Sequence, residues 1–109
     1  MRTQILLSTL LAALALAACR DDASLEPAAG TVLVDIRDDG FAPETVHVAV
    51  GRSVRWINTG TLAHTISSPD FTSGTLLHDW WFEARFDAVG TYGYFCSLHT
   101  SKEGIVVIE

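Results

Sequence analysis

Basic residues are scarce in this chain, as are sulfur-bearing ones. Seven Lys and Arg stand against thirteen Asp and Glu, for a formal charge of -6. No Lys/Arg cluster exists that would displace counterions from phosphates, which argues against a nucleic-acid partner and leaves a basic protein partner compatible. Long hydrophobic runs are missing too. Ile5 to Ala18 is apolar or small apart from Ser8 and Thr9, but a helix of that length, at about 1.5 Å per residue, falls short of a bilayer core of about 30 Å. After this segment there is no 3.6-residue periodicity, so amphipathic helices are not expected. What is present is a 109-residue chain with 49% hydrophobic and 18% charged residues, enough for one compact domain and too apolar for a disordered acidic chain.

The N-terminus reads as an export signal. One positive side chain, Arg2, precedes the apolar run, which ends in Leu16-Ala17-Ala18-Cys19. Small residues directly before a cysteine look like a bacterial lipobox, in which the thiol is lipidated before cleavage. The competing reading is ordinary cleavage at a small-residue site, with Cys19 incidental. The expectation is a lipoprotein signal peptide over 1–18, lipid on Cys19, and a polar linker over 19–30 carrying Asp21, Asp22, Glu26 and Pro27. The mature chain would be periplasmic or at the cell surface, anchored to a membrane by that lipid, and one unit more acidic through loss of Arg2.

Lipidation of Cys19 would leave Cys96 with no disulfide partner in an oxidising compartment. A buried apolar cysteine after Tyr92-Gly93-Tyr94-Phe95 is one explanation. The sharper one follows from Cys96-Ser97-Leu98-His99. Thiolate is soft and imidazole borderline, so a Cys-x-x-His loop completed by a remote histidine suits copper or zinc better than magnesium or calcium. His64, in Leu62-Ala63-His64-Thr65-Ile66, is the remote candidate.

Residues 31–109 divide into short strand-like runs separated by turn residues, which predicts an all-β sandwich or barrel. Val32 to Ile36 alternates, with Val32, Val34 and Ile36 on one face, and Arg37-Asp38-Asp39-Gly40 turns the chain. Phe41 to Glu44 bridges to Thr45–Val50, where alternation puts Val46, Val48 and Val50 inward and His47 in solvent. Gly51-Arg52 turns again, and Val54 and Trp56 face the core, the Trp large enough to anchor two packed sheets. Ser67 to His78 reads as loop with room for one short edge segment and a surface His78. Phe82, Ala84 and Phe86 then share a face, Asp87 to Gly90 turns into the strand ending at Cys96, and Ile105 to Glu109 closes the sheet. Asp38-Asp39 and Asp21-Asp22 read as solvated turn and linker charges.

Taken together, Phe41-x-Pro43, Val50-Gly51-x-x-Val54-x-Trp56-x-Asn58, His64-Thr65, Phe86-x-x-x-Gly90-x-Tyr92-x-Tyr94-x-Cys96-x-x-His99 and Gly104-x-Val106-x-Ile108 resemble the cupredoxin pattern, in its amicyanin- or plastocyanin-like form. The resemblance spans Val32 to Glu109. It implies a Greek-key β-sandwich with a type 1 copper at one end, held by His64, Cys96 and His99. It also implies that His99 reaches solvent as the electron's door, within an apolar patch for which Leu62, Ala63 and Leu98 are placed.

One position departs from the pattern. Where the resemblance implies a weak axial Met stands Lys102, and the only methionine is Met1. Four outcomes are open: the Lys102 ammonium stays in water, leaving a His₂Cys site closed by the Ala63 carbonyl; Lys102 ligates as a neutral amine after losing its proton to the metal; it stays protonated and repels the ion; or Glu103 substitutes an oxygen. The resulting expectation is a monomeric, lipid-anchored one-electron carrier serving exported or membrane-bound redox proteins. A copper carrier or store, and a cupredoxin fold that does not load metal, are the alternatives. No nucleophile triad, carboxylate pair or phosphate loop argues for an enzyme.

Overall fold

The computed structural model describes residues 30–109, the side chains of 100 and 101 excepted; the expected signal peptide, the lipidated Cys19 and the linker up to residue 29 lie outside the described residues. Seven strands follow in order: β1 (Val32–Arg37), β2 (Gly40–Ala42), β3 (Thr45–Val48), β4 (Ser53–Asn58), β5 (Trp81–Arg85), β6 (Gly90–Cys96) and β7 (His99–Ile108). They form two sheets, ordered β2-β1-β4-β5 and β3-β7-β6. The β1/β4 and β3/β7 pairs are parallel and the remaining neighbours antiparallel. The chain changes sheet between β2 and β3, between β3 and β4, and between β5 and β6, as the expected all-β sandwich requires.

Two-residue alternation explains which side chains meet between the sheets. Val34, Ile36, Val54 and Trp56 come from one sheet and Val46, Val48, Tyr94, Cys96, Val106 and Ile108 from the other, all buried. Trp56 spans the gap: its ring lies 5.2 Å from Tyr94 at 74° and 5.9 Å from Phe82. Such edge and offset arrangements of aromatic rings add to the area they bury. His47 faces solvent and meets Glu109 at 3.4 Å, as its place in the alternation predicts.

Three expectations need correction. Val50 does not face inward: β3 ends at Val48, and Val50 is 45% exposed in the turn before Gly51, whose φ of 91° is a left-handed value that glycine accommodates. Phe41 to Glu44 is more than a bridge, because Gly40–Ala42 pairs with β1 as a short edge strand that turns Phe41 against Tyr94. The closing strand starts at His99, six residues before Ile105. The 67–78 segment carries only isolated bridges, yet with its neighbour Ile66 it delivers Phe71 and Leu76 to the core, replacing a strand by packed side chains.

Candidate metal centre

Cys96 ends β6 and His99 begins β7, and the ladder breaks between them. Phe95 pairs with Glu103 while Cys96 pairs with His99, with a register shift at Phe95/Cys96. A bulge of this kind bends the strand and re-aims the side chains around it. The chain between His99 and Glu103 bows out, and Cys96 Sγ comes to lie 3.5 Å from His99 Nδ1.

His64 arrives on the loop after β4, and that loop is fastened at three places. Buried Asn58 donates from Nδ2 to the Leu62 and Leu76 carbonyls at 2.9 and 2.8 Å and accepts from Gly60 N–H through Oδ1 at 2.9 Å. His64 and Leu76 exchange both backbone hydrogen bonds, at 3.1 and 2.7 Å. The following residues are stitched to the end of β6: Ser67 and Phe95 exchange backbone bonds at 2.8 and 2.9 Å, and Ser97 N–H donates to Thr65 Oγ1 at 2.8 Å. The result puts His64 Nδ1 3.8 Å from Cys96 Sγ.

The three predicted donors therefore converge, with their ligating atoms all within 4.8 Å of one another. An ion about 2.3 Å from a thiolate and about 2.0–2.1 Å from imidazole nitrogens, at angles between tetrahedral and trigonal, separates sulfur from nitrogen by about 3.5–3.8 Å. The two observed sulfur–nitrogen distances, 3.5 and 3.8 Å, fit that requirement, while the two imidazole nitrogens, within 4.8 Å of each other, must close by a small ring movement for one ion to reach both. The donor chemistry fits as well, since two imidazoles and one thiolate select a borderline or soft ion. His64 and Cys96 are each 1% exposed, whereas His99 is half-buried at the surface.

Electrostatics favour the ligating form of the thiol. Burial pushes the Cys96 thiol up, but the Thr65 N–H at 3.4 Å, His99, His64 and the Leu98 N–H outweigh burial and bring it down to about 6. A thiolate is the ligand a metal needs.

Other residues of interest are placed as follows. His78 keeps an exposed side chain, with Nδ1 2.8 Å from the Gly60 carbonyl. Lys102 is half-buried, its stem about 4.0 Å from where a Cβ on Gly40 would sit. Leu62 and Leu98 are about half exposed, at 51% and 52%, and Ala63 between Leu62 and His64 is partly buried.

Sequence reasoning missed Asp38, read above as a solvated turn charge. Its carboxylate lies 2.9 Å from His64 Nε2 and accepts from Thr61 N–H and Leu62 N–H at 3.0 Å and from Thr61 Oγ1 at 2.7 Å. His64, Thr61 and Leu62 hold its carboxyl well below the usual carboxylate range. Nothing in the local sequence marks it, because the contact joins the β1–β2 turn to a loop more than 20 residues away. Thr65 is the second omission, its hydroxyl linking the two ligand-bearing loops.

A two-sheet sandwich gathering one thiolate and two imidazoles at one end defines a metal-binding β domain, and the comparisons narrow it further. The family model described as a cupredoxin-like domain matches residues 6–108. Amicyanin-alpha of Methylorubrum extorquens is 34% identical over 102 residues, covering 87% of this chain and 86% of its own. Among solved structures, the Cu(I) form of an amicyanin mutant has a TM-score of 0.72 at 28% identity, over 77% of this chain and 87% of that one. A purple cupredoxin from Nitrosopumilus maritimus has a TM-score of 0.68 at 26% identity, over 72% and 99%. The chain belongs to the cupredoxin-like family.

Proposed function

We propose that this chain is an exported, lipid-anchored copper protein that carries single electrons and catalyses no reaction of its own. The observation that carries the reading is the convergence of His64 Nδ1, Cys96 Sγ and His99 Nδ1 within 4.8 Å. Bound copper would supply a one-electron couple, and a near-trigonal His₂Cys set fits neither oxidation state fully. The protein's part is to hold the donors still, which the Asn58 bonds, the His64–Leu76 pair and the Ser67–Phe95 pair support. Leu62 and Leu98 at the surface support electron passage through His99 to a partner that docks on an apolar rim. Lipid on Cys19 would confine the chain to a membrane and raise its effective concentration near membrane-bound redox proteins. The domain acts as a monomer in this reading.

Lys102, the only lysine of the chain, stands at the axial position without ligating. Its stem beside Gly40 supports that reading, with the ammonium in water and three protein ligands on the ion. The test is Cu(II) addition to the purified protein, read by visible absorption and voltammetry. An intense thiolate-to-copper band and a reversible one-electron wave are expected. A colourless product contradicts the copper reading, and loss of copper on reduction contradicts electron carriage in favour of copper transport or storage. Lys102→Leu should leave the band unchanged, whereas Lys102→Met should alter both band and potential by adding a thioether. A band that shifts in Lys102→Leu contradicts the non-ligating assignment.

A further inference from the structure

The two imidazoles of the candidate centre are held differently, and the difference traces to the β1–β2 turn. His64 presents Nδ1 to the Cys96 sulfur and Nε2 to Asp38 Oδ1, 2.9 Å away. Among the described residues, the one polar side-chain contact of the His99 ring is that with Cys96. Asp38 is itself fixed, because Thr61 N–H, Thr61 Oγ1 and Leu62 N–H all donate to its two oxygens. The loop bearing those donors is in turn tied to the end of β1, with Thr59 N–H and Gly60 N–H donating to the Ile36 carbonyl at 3.0 and 3.1 Å. The carboxylate and the ring are thereby set against each other by the backbone on both sides.

We propose that Asp38 is a positioning residue for the metal centre, holding His64 in the Nε2–H tautomer so that Nδ1 meets the ion with its lone pair free. The logic is one of donors and acceptors. An ionised carboxylate only accepts, so a 2.9 Å contact with Nε2 places the proton on Nε2. A neutral imidazole carries one N–H, so Nδ1, the atom facing Cys96, is left bare. The bond also fixes the ring's rotation and makes the ligand more basic, and such outer partners change metal affinity by about 10–100-fold when removed. A negative charge behind His64 favours the more highly charged state of the ion. Asp38 therefore holds the reduction potential below the value His64 alone would set. This second effect rests on the copper reading above; the tautomer does not.

The experiment uses ¹⁵N-histidine NMR on the metal-free protein at pH 8, with wild type, Asp38→Asn and Asp39→Asn, followed by copper loading and voltammetry of all three. Asp39 is the neighbouring exposed carboxylate and controls for loss of one charge without loss of a bond to His64. Wild type and Asp39→Asn should show His64 protonated at Nε2 alone. Asp38→Asn should weaken Cu(II) binding about 10–100-fold and raise the potential by about 59 mV for each tenfold not matched in Cu(I) binding. A proton on Nδ1 of wild-type His64 overturns the proposal, even should Asp38→Asn fail to fold. Equal potentials in Asp38→Asn and Asp39→Asn overturn the electrostatic half. A chain with Nε2–H at His64 that binds no copper refutes the proposed function and leaves the positioning role standing.

Discussion

At the scale of single residues, the centre depends on one thiol that burial alone would keep protonated. Four hydrogen-bonding partners bring the Cys96 thiol down to about 6, while an unfolded cysteine titrates near about 8.5. Between those values the unfolded chain binds more protons than the folded one, so the metal-free protein gains stability as pH rises through the window. That contribution is complete above about 8.5 and is lost as pH falls through about 6. Melting curves at pH 5.5 and 8.5 check this: Cys96→Ser should remove part of the pH dependence seen in wild type. Ultraviolet titration of the thiolate should give a midpoint near 6, and a midpoint above 8 contradicts the account. The three candidate donors were legible in the sequence because each has a reactive side chain in a recognisable setting. Asp38 and Thr65 were not, since an aspartate in a turn and a threonine beside a histidine acquire roles only when distant loops are brought together.

At the scale of elements, two contacts brace the segments that carry the donors. Gly104 on β7 lies under the Tyr94 ring, and a Cβ there would overlap the phenol. Gly104→Ala should destabilise by about 1–3 kcal/mol, the usual range for forced overpacking, measured by denaturant unfolding; an unchanged midpoint would show that the ring has room to move. Asn58 is fully buried and makes three hydrogen bonds to the His64 loop. Asn58→Ala should cost about 2–4 kcal/mol by stranding those partners, and should weaken metal binding although Asn58 supplies no ligand. Unfolding and copper titration of the same variant check both effects. Alternation revealed most of β1, β3, β4 and β5, because an inward residue every second position is a signal carried within each strand. It failed at Val50, which lies past the end of β3, and at Phe71 and Leu76, which reach the core from a loop with no period. It also could not show where β7 begins, because the ladder near His99 is set by a bulge.

At the scale of the molecule, the sandwich brings residues 64, 96 and 99 together at one end. Trp56 and its ring contacts with Tyr94, Phe71 and Phe82 hold the interior together, and the loop bonds described above transmit that rigidity to the donors. An all-β sandwich or barrel was legible from the strand-like runs and the Greek-key sandwich from the family resemblance, while the pairing of strands, including the two parallel pairs, required the structure. The account's central claim is that one ion is shared by these three side chains. Copper K-edge X-ray absorption of the copper-loaded protein tests it most directly. The account predicts one copper per chain, with one sulfur and two imidazole nitrogens in its inner shell and the sulfur absent in Cys96→Ser. An inner shell of nitrogen and oxygen alone in the unaltered protein would contradict it.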